Sequence, residues 1–216
     1  RLVVVLLTTR QAECSIQTVI CSRRKKIFSI FPGSRLSEIN ILMPILFKFI
    51  KMMNKKYKDL FFVFHSTANY VHLVQNLVLQ EKLNNCSSVS DEKIKLKILK
   101  SSLFAVAKSG TISLEICKAK IPSVIIYKMS SINFFIVKIL VKVKFANIIN
   151  IAAKEEIIPE LLQSKCNSTN IFKVVDNLFN DKEALKMQIL KSQEVMKNFK
   201  TRDSAEIASS VLINQF

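Results

Sequence analysis

The chain has 216 residues, half of them apolar, with 33 lysines and arginines against 16 acidic residues and a net charge of +17. That apolar content supports a sizeable core, and the combination of 2 Gly and 4 Pro with 15 Phe and 27 Ile excludes a disordered, collagen-like or linker-type chain. The charge favours an anionic partner, and nucleic acid, an anionic membrane surface and a phosphorylated substrate all satisfy it. Compositional drift toward Lys, Ile, Asn and Phe accounts for the same excess with no partner at all. Cys14, Cys21, Cys86, Cys117 and Cys166 are odd in number, scattered and without a CxxC pair, which suits a reducing compartment. With His65 and His72 as the two histidines, no zinc-ligand spacing arises, and no metal is expected.

No stretch reaches the roughly 18 to 20 apolar residues of a membrane-spanning helix. Residues 2–7 form one short apolar run, followed by a polar stretch without a period. Since the first residue is Arg and no small-residue cleavage site follows, no signal peptide is read, and residues 1–25 are expected to be a remnant or linker. Residues 27–31 then read as a buried strand stopped by Pro32-Gly33. Ser37 and Glu38 open a helix whose apolar positions are expected at Ile41, Pro44, Ile45, Phe49, Met52 and Met53, with Pro44 a kink or late first-turn residue. A strand over 60–64, a helix over 70–83, and a polar irregular stretch over 84–91 come next.

Further strands are predicted over 103–107 and 123–127, separated by a helix over 111–118. Residues 131–143 read as an apolar helix carrying Lys138 and Lys142. From Glu160 the tail reads as wholly helical, with helices over 170–178, 181–199 and 203–212 and Asp181 and Asp203 as N-caps. Continuous apolar strands alternating with helices predict an α/β, Rossmann-like parallel sheet with helices on both faces.

Both glycines sit where a strand hands over to a helix: Gly33, followed by Ser34 and Arg35, and Gly110 between Ser109 and Thr111. A chain this poor in glycine keeps it where positive φ or close backbone approach demands it, although two ordinary turns would look the same. In parallel sheets ligands lie at the carboxyl ends of strands, where helix N-termini offer free N–H groups to phosphate. Ser109, Gly110 and Thr111 fit that role, and Arg35 supplies a donor fork suited to a diphosphate. Neither loop matches a Walker A or GxGxxG pattern. Glu115, one turn beyond Thr111, is placed to accept ribose hydroxyls or else is a solvent-facing glutamate.

The order FPGSRxxEI, SGTxxLE, a Pro122 to Tyr127-Lys128 segment, and Asn150 ahead of IIPELLQ resembles the C-terminal half of lipid-A-disaccharide synthase, from about Lys26 to the C-terminus. The resemblance implies a GT-B fold and an inverting glycosyltransferase. It implies transfer of 2,3-diacylglucosamine from UDP to 2,3-diacylglucosamine 1-phosphate, giving the lipid A disaccharide precursor, with no cofactor. By the same resemblance Gly33, Ser34 and Arg35 face the diphosphate and Ser109, Gly110 and Thr111 cradle phosphate. Glu115 would hold the ribose, and Asn150, Glu160 and Gln163 would complete the donor pocket. Residues 26–165 would be the nucleotide-sugar-binding domain and 166–216 the C-terminal helices.

Two departures from the family pattern are Ile148-Ile149 before Asn150, where Leu-Pro is usual, and Lys108 where a small residue precedes Ser109. Lys108 either adds charge near the phosphate or is solvated. The acceptor-binding domain, with the expected catalytic base, has no counterpart in residues 1–25. The chain is therefore expected to be a split or truncated half, inactive alone, with a separate acceptor-domain chain as a possible partner. A complete, non-catalytic UDP-sugar-binding module is the alternative; a nucleic-acid-binding domain is disfavoured by six Arg and no recognisable motif. Residues 131–145, with Lys138, Lys142 and Lys144 among apolar neighbours, are either a core helix with snorkelling lysines or a contact for an anionic membrane surface. The resemblance implies a cytoplasmic location, peripheral on the inner membrane. His65 and His72 are expected to be structural and Cys117 a buried small hydrophobe.

Overall fold

The computed structural model describes residues 25–129 and 144–199. The expected elements over 2–7, 131–143 and 203–212, the cap at Asp203, and Cys14 and Cys21 lie outside the described residues. Strands β1 (Lys26–Phe31), β2 (Leu60–His65), β3 (Cys86–Val89), β4 (Ser102–Lys108), β5 (Ser123–Tyr127) and β6 (Glu160–Leu162) form one parallel sheet in the order β3-β2-β1-β4-β5-β6. The helices are α1 (Leu36–Lys56), α2 (Val71–Gln80), α3 (Glu92–Ser101), α4 (Ile112–Lys118), α5 (Ile148–Ala153), α6 (Ser168–Asn180) and α7 (Lys182–Asn198).

Strand alternation divides the sheet's apolar residues into two cores. On one face Phe28, Ile30, Phe62, Phe64, Phe104 and Ile126 pack under α1, α2 and α6. On the other, Phe31, Ala105, Ala107 and Ile125 meet α4, α5 and α7, while Ile27, Phe61 and Val63 meet Ile98 of α3. Because both faces are covered, the central strands are buried on both sides rather than alternating, as in β2, whose six residues are all buried and apolar up to His65. Phe28 is the aromatic centre: its ring lies 5.6 Å from Phe62, 5.4 Å from Phe104 and 5.2 Å from Phe179.

The two tail helices are built into opposite faces. Asp176 of α6 accepts from Tyr57 Oη at 2.7 Å and pairs with Lys56 at 2.8 Å. Gln188 of α7 is buried and acts as a neighbouring strand would, accepting from Ser123 N–H at 2.8 Å and donating to Ser123 C=O at 2.9 Å. Asp181 caps α7 as expected, accepting from Ala184 N–H at 2.9 Å.

Four stretches need comment: three readings of the sequence are corrected, and one helix, over residues left without a reading, is added. The stretch over 84–91 contains β3, the edge of the sheet, whose Cys-Ser-Ser-Val is too short and polar to announce itself. Residues 92–101 form a helix, α3, capped by Asp91, which accepts from Ile94 N–H at 2.8 Å. Its alternating Lys-Ile-Lys-Leu-Lys hides the helical period. The tail is not wholly helical from Glu160: β6 adds a sixth strand beside β5, followed by a 3-10 turn over Gln163–Lys165.

The fourth concerns α1. Its buried face is Ile39, Leu42, Met43, Leu46, Phe47, Phe49, Ile50 and Met53, rotated away from the expected Ile41, Pro44 and Ile45. Pro44 lies on the exposed side, in the third turn of a helix that runs on past it, where the Asn40 carbonyl released by the missing N–H faces water.

Phe28→Ala is expected to lower stability by about 3–5 kcal/mol, through lost transfer energy and a cavity between three rings. Leu103→Ala, at a half-exposed β4 position, is expected to stay within about 0.5 kcal/mol. Urea unfolding of both variants checks the contrast.

Candidate functional site

Strand order reverses between β1 and β4, which are neighbours with Phe31 opposite Ala107. Loops leaving the carboxyl ends of such a pair diverge and leave a crevice. Here the crevice is a cleft of about 250 Å³ lined by Gly33 and Ser34 after β1, by His65, Ser66 and Thr67 after β2, and by Glu92 and Lys95 of α3. Lys108, Ser109, Gly110, Thr111 and Glu115 complete it on the β4–α4 side.

The two glycines serve different purposes. Gly33 has φ +113°, and a Cβ there would fall on the Glu38 carboxylate and within 2.8 Å of its Cβ. Glu38 needs that space because its Oε2 accepts from Ser34 N–H at 3.0 Å and Arg35 N–H at 3.3 Å, fastening the loop to the first turn of α1. Gly110 has no left-handed backbone, and a Cβ there would meet nothing within 4 Å. No contact within the described chain calls for glycine at 110.

Glu38 also holds Lys108, at 3.0 Å from its other oxygen. Burial pushes the Glu38 carboxyl upward, but the hydrogen bond and charge of Lys108 and the two amide donors outweigh it, so the group lies below the ordinary glutamate value. Lys108 is 20 % exposed and sits 5.1 Å from the Tyr127 ring centre, so it is packed and paired rather than solvated. Across the cleft Lys95 stands between Glu92 and Glu115, 3.1 Å from each. Its pKa is raised: burial works against the charge, and the two carboxylates overcome that. Each cation lining the cleft is thus matched by a carboxylate. Arg35, the N-cap of α1, projects outward at 80 % exposure, 3.9 Å from Glu38.

The structure therefore brings Gly33, Ser34, Ser109, Gly110, Thr111 and Glu115 into one hollow, with Arg35 beyond its rim. Asn150, Glu160 and Gln163 lie elsewhere. Glu160 and Gln163 line a second hollow with Lys128, Lys144 and Lys165. Asn150 is fully buried and engaged by protein alone: it donates to Ile158 C=O and Glu160 and accepts from the Ile157 and Ile158 N–H groups. Glu160 also accepts from Ala146 N–H at 2.7 Å and Asn147 N–H at 2.9 Å, holding the entry to α5. Ser109 Oγ donates to Ala146 C=O at 2.6 Å, so a run of hydrogen bonds ties the Gly110 loop to the wall of the second hollow.

His65, expected from the sequence to be structural, is packed into the fold and also belongs to the cleft. It closes β2, is 5 % exposed, stacks on Phe31 at 4.3 Å, and lines the cleft. Burial, with Lys95 adding to it, lowers its pKa to about 3, so the ring is neutral. Its nearest signal in the sequence was a polar residue at the end of an otherwise wholly apolar strand. Among the described cysteines, burial raises the Cys86 thiol to about 12 and those of Cys117 and Cys166 to about 11, which disfavours the reactive thiolate. Among the described residues no cluster of metal ligands occurs and no helix is long and apolar enough to cross a membrane.

The family model for lipid-A-disaccharide synthetase matches residues 6–212. The chain belongs to that family. Its match begins at residue 6 rather than near Lys26. A lipid-A-disaccharide synthase of Sulfurihydrogenibium sp. is 32 % identical over 198 residues, covering 88 % of this chain and 51 % of the relative. The chain spans about half the length of the curated synthases it matches. Among solved structures, the C-terminal domain of a group 1 glycosyl transferase from Francisella tularensis superposes with a TM-score of 0.55 at 14 % identity, covering 86 % of this chain and 93 % of that one. A UDP-GlcNAc 2-epimerase from Neisseria meningitidis, solved bound to UDP-GlcNAc, gives a TM-score of 0.52 at 14 % identity and covers 89 % of this chain and 48 % of that one. These likenesses establish the fold, the α/β half of a GT-B architecture.

Gly33→Ala is expected to destabilise the protein by about 1–3 kcal/mol, since it strains a left-handed residue and displaces Glu38. Gly110→Ala is expected to leave the melting temperature unchanged; thermal denaturation of the pair reads both. Because the folded-state pKa of Glu38 is depressed, the stability it contributes is present above the ordinary value of 4.5 and is lost as pH falls below it. Glu38→Gln should flatten that part of the stability–pH curve, measured by urea unfolding between neutral pH and about pH 3.

Proposed function

We propose that this chain is the donor-binding half of a lipid-A-disaccharide synthase, holding the UDP of UDP-2,3-diacylglucosamine in the cleft between β1 and β4. The observation that carries the reading is the shared hollow of the two glycine loops, with open space where a Gly110 side chain would be. A phosphate laid on Ser109, Gly110 and Thr111 would use that space and the first free amides of α4. Gly33 and Ser34 would meet the diphosphate from the β1 side, and Arg35 would swing in from the rim. Glu115 would hold the ribose by accepting from one of its hydroxyls, in exchange for part of its pairing with Lys95. Family membership and the UDP-sugar bound to the Neisseria fold neighbour support the same reading.

Asn150 and Glu160 would act by holding the 146–150 segment as a wall beside the donor sugar, with Gln163 facing it from β6. The acceptor, 2,3-diacylglucosamine 1-phosphate, would be presented by a second domain, which in a two-domain transferase also removes the proton of the attacking hydroxyl. The half described here would supply the electrostatic part, stabilising charge on the departing UDP. The mixed basic and apolar residues of 131–145 suit contact with an anionic membrane surface next to such lipid substrates, on its cytoplasmic side.

Titration calorimetry with UDP tests this. The unaltered chain should bind, and Arg35→Ala and Glu115→Ala should each weaken binding about 10- to 100-fold, the loss of a charge-assisted hydrogen bond. Gly110→Ala should weaken it by a similar factor without loss of stability. No UDP binding by the unaltered chain, or equal affinity in all four proteins, would defeat the assignment.

A further inference from the structure

We propose that Nδ1 of His65 is a fixed hydrogen-bond acceptor in the cleft that takes an N–H or O–H of the bound nucleotide; this rests on the reading of the cleft as a UDP site. The tautomer follows from counting hydrogens along a buried chain. Ser102 Oγ donates its one hydrogen to Ile98 C=O at 2.8 Å. In its 2.8 Å contact with Ser29 Oγ it must therefore accept, and Ser29 donates. Ser29 has then used its own hydrogen, so in the 3.0 Å contact with His65 Nε2 it accepts. Nε2 carries the proton, and Nδ1 is left with a bare lone pair.

That nitrogen is buried and has no hydrogen-bond partner among the described residues. With Nε2 committed inward to Ser29, Nδ1 is the nitrogen left for the cleft that His65 lines. The Phe31 stack at 4.3 Å fixes the ring plane. The adjoining Ser66 Oγ, on the same wall, is likewise buried without a partner. Lys95, the nearby cation, is already engaged by Glu92 and Glu115. An unmet buried acceptor is costly, and a ligand donor relieves that cost.

The chemistry of UDP narrows the donor. An ionised diphosphate has no hydrogen to give, so the donor is either the pyrimidine N3–H or a ribose hydroxyl. Calorimetry with UDP, 3-methyl-UDP and 2′-deoxy-UDP, on the unaltered protein and on His65→Phe, separates the two. Phe keeps the stack on Phe31 and removes Nδ1. The variant should bind UDP about tenfold more weakly. The analogue lacking the true donor should show its penalty in the unaltered protein and little further penalty in His65→Phe.

A second measurement does not depend on that variant folding. In a His72→Gln background the 15N resonance of His65 Nδ1 should begin at the position of a bare lone pair and move on saturation with UDP. An unmoved resonance, or His65→Phe binding all three ligands as the unaltered protein does, overturns the role of His65 and leaves the nucleotide reading standing. Failure of the unaltered protein to bind UDP overturns both.

Discussion

One carboxylate joins the two halves of the cleft. Glu38 receives the Ser34 and Arg35 amides on one oxygen and Lys108 on the other, so the end of β1, the start of α1 and the end of β4 meet at a single partly buried charge. The arrangement demands glycine at 33, because a side chain there would occupy the place of the carboxylate. It also takes up the positive charge of Lys108, which would otherwise enter the low-dielectric end of the sheet unpaired. Remove the carboxylate, and the Gly33 loop loses its tether while Lys108 loses its partner.

The same economy of charge runs through the rest of the cleft. A chain with a net charge of +17 would be expected to crowd cations into an anion site, yet Lys95 and Lys108 are both matched by carboxylates. In the proposed reading, anion affinity would come from backbone amides and from the outlying Arg35 rather than from the lysines of the cleft. The neutral, protein-held His65 fits that pattern: it presents hydrogen-bonding capacity without net charge.

The helices of the tail are what make a six-stranded sheet stable on both sides. Phe179 closes the aromatic cluster on one face, and Gln188 brackets Ser123 on the other. The run from Ser109 through Ala146 to Glu160 and Asn150 adds a polar counterpart to these apolar supports. It explains why the three positions that the family resemblance adds to the donor pocket, Asn150, Glu160 and Gln163, include one, Asn150, that is fully buried among protein groups. What it does in the structure is tie α5 to the segment from Ile157 to Glu160.

The central strands were legible in the sequence because a parallel sheet covered on both faces needs predominantly apolar runs, and β1, β2, β4 and β5 have them, with Ser29 the one interior polar residue. The glycine loops were legible because the chain has so few glycines. The edge strands were not: β3 and β6 are only four and three residues long and incompletely buried, too short for a period to show in their composition. The buried face of α1 was misplaced because apolar residues occupy nearly every position from Ile39 to Met53, and only packing against the sheet selects a side. Sequence alone determined the fold class, the family and the loops after β1 and β4, since these follow from local pattern and ordered motifs. Tertiary structure decided which of the marked residues share a hollow, that Lys108 and Lys95 are neutralised, and which nitrogen of His65 is bare, because each depends on a partner distant along the chain.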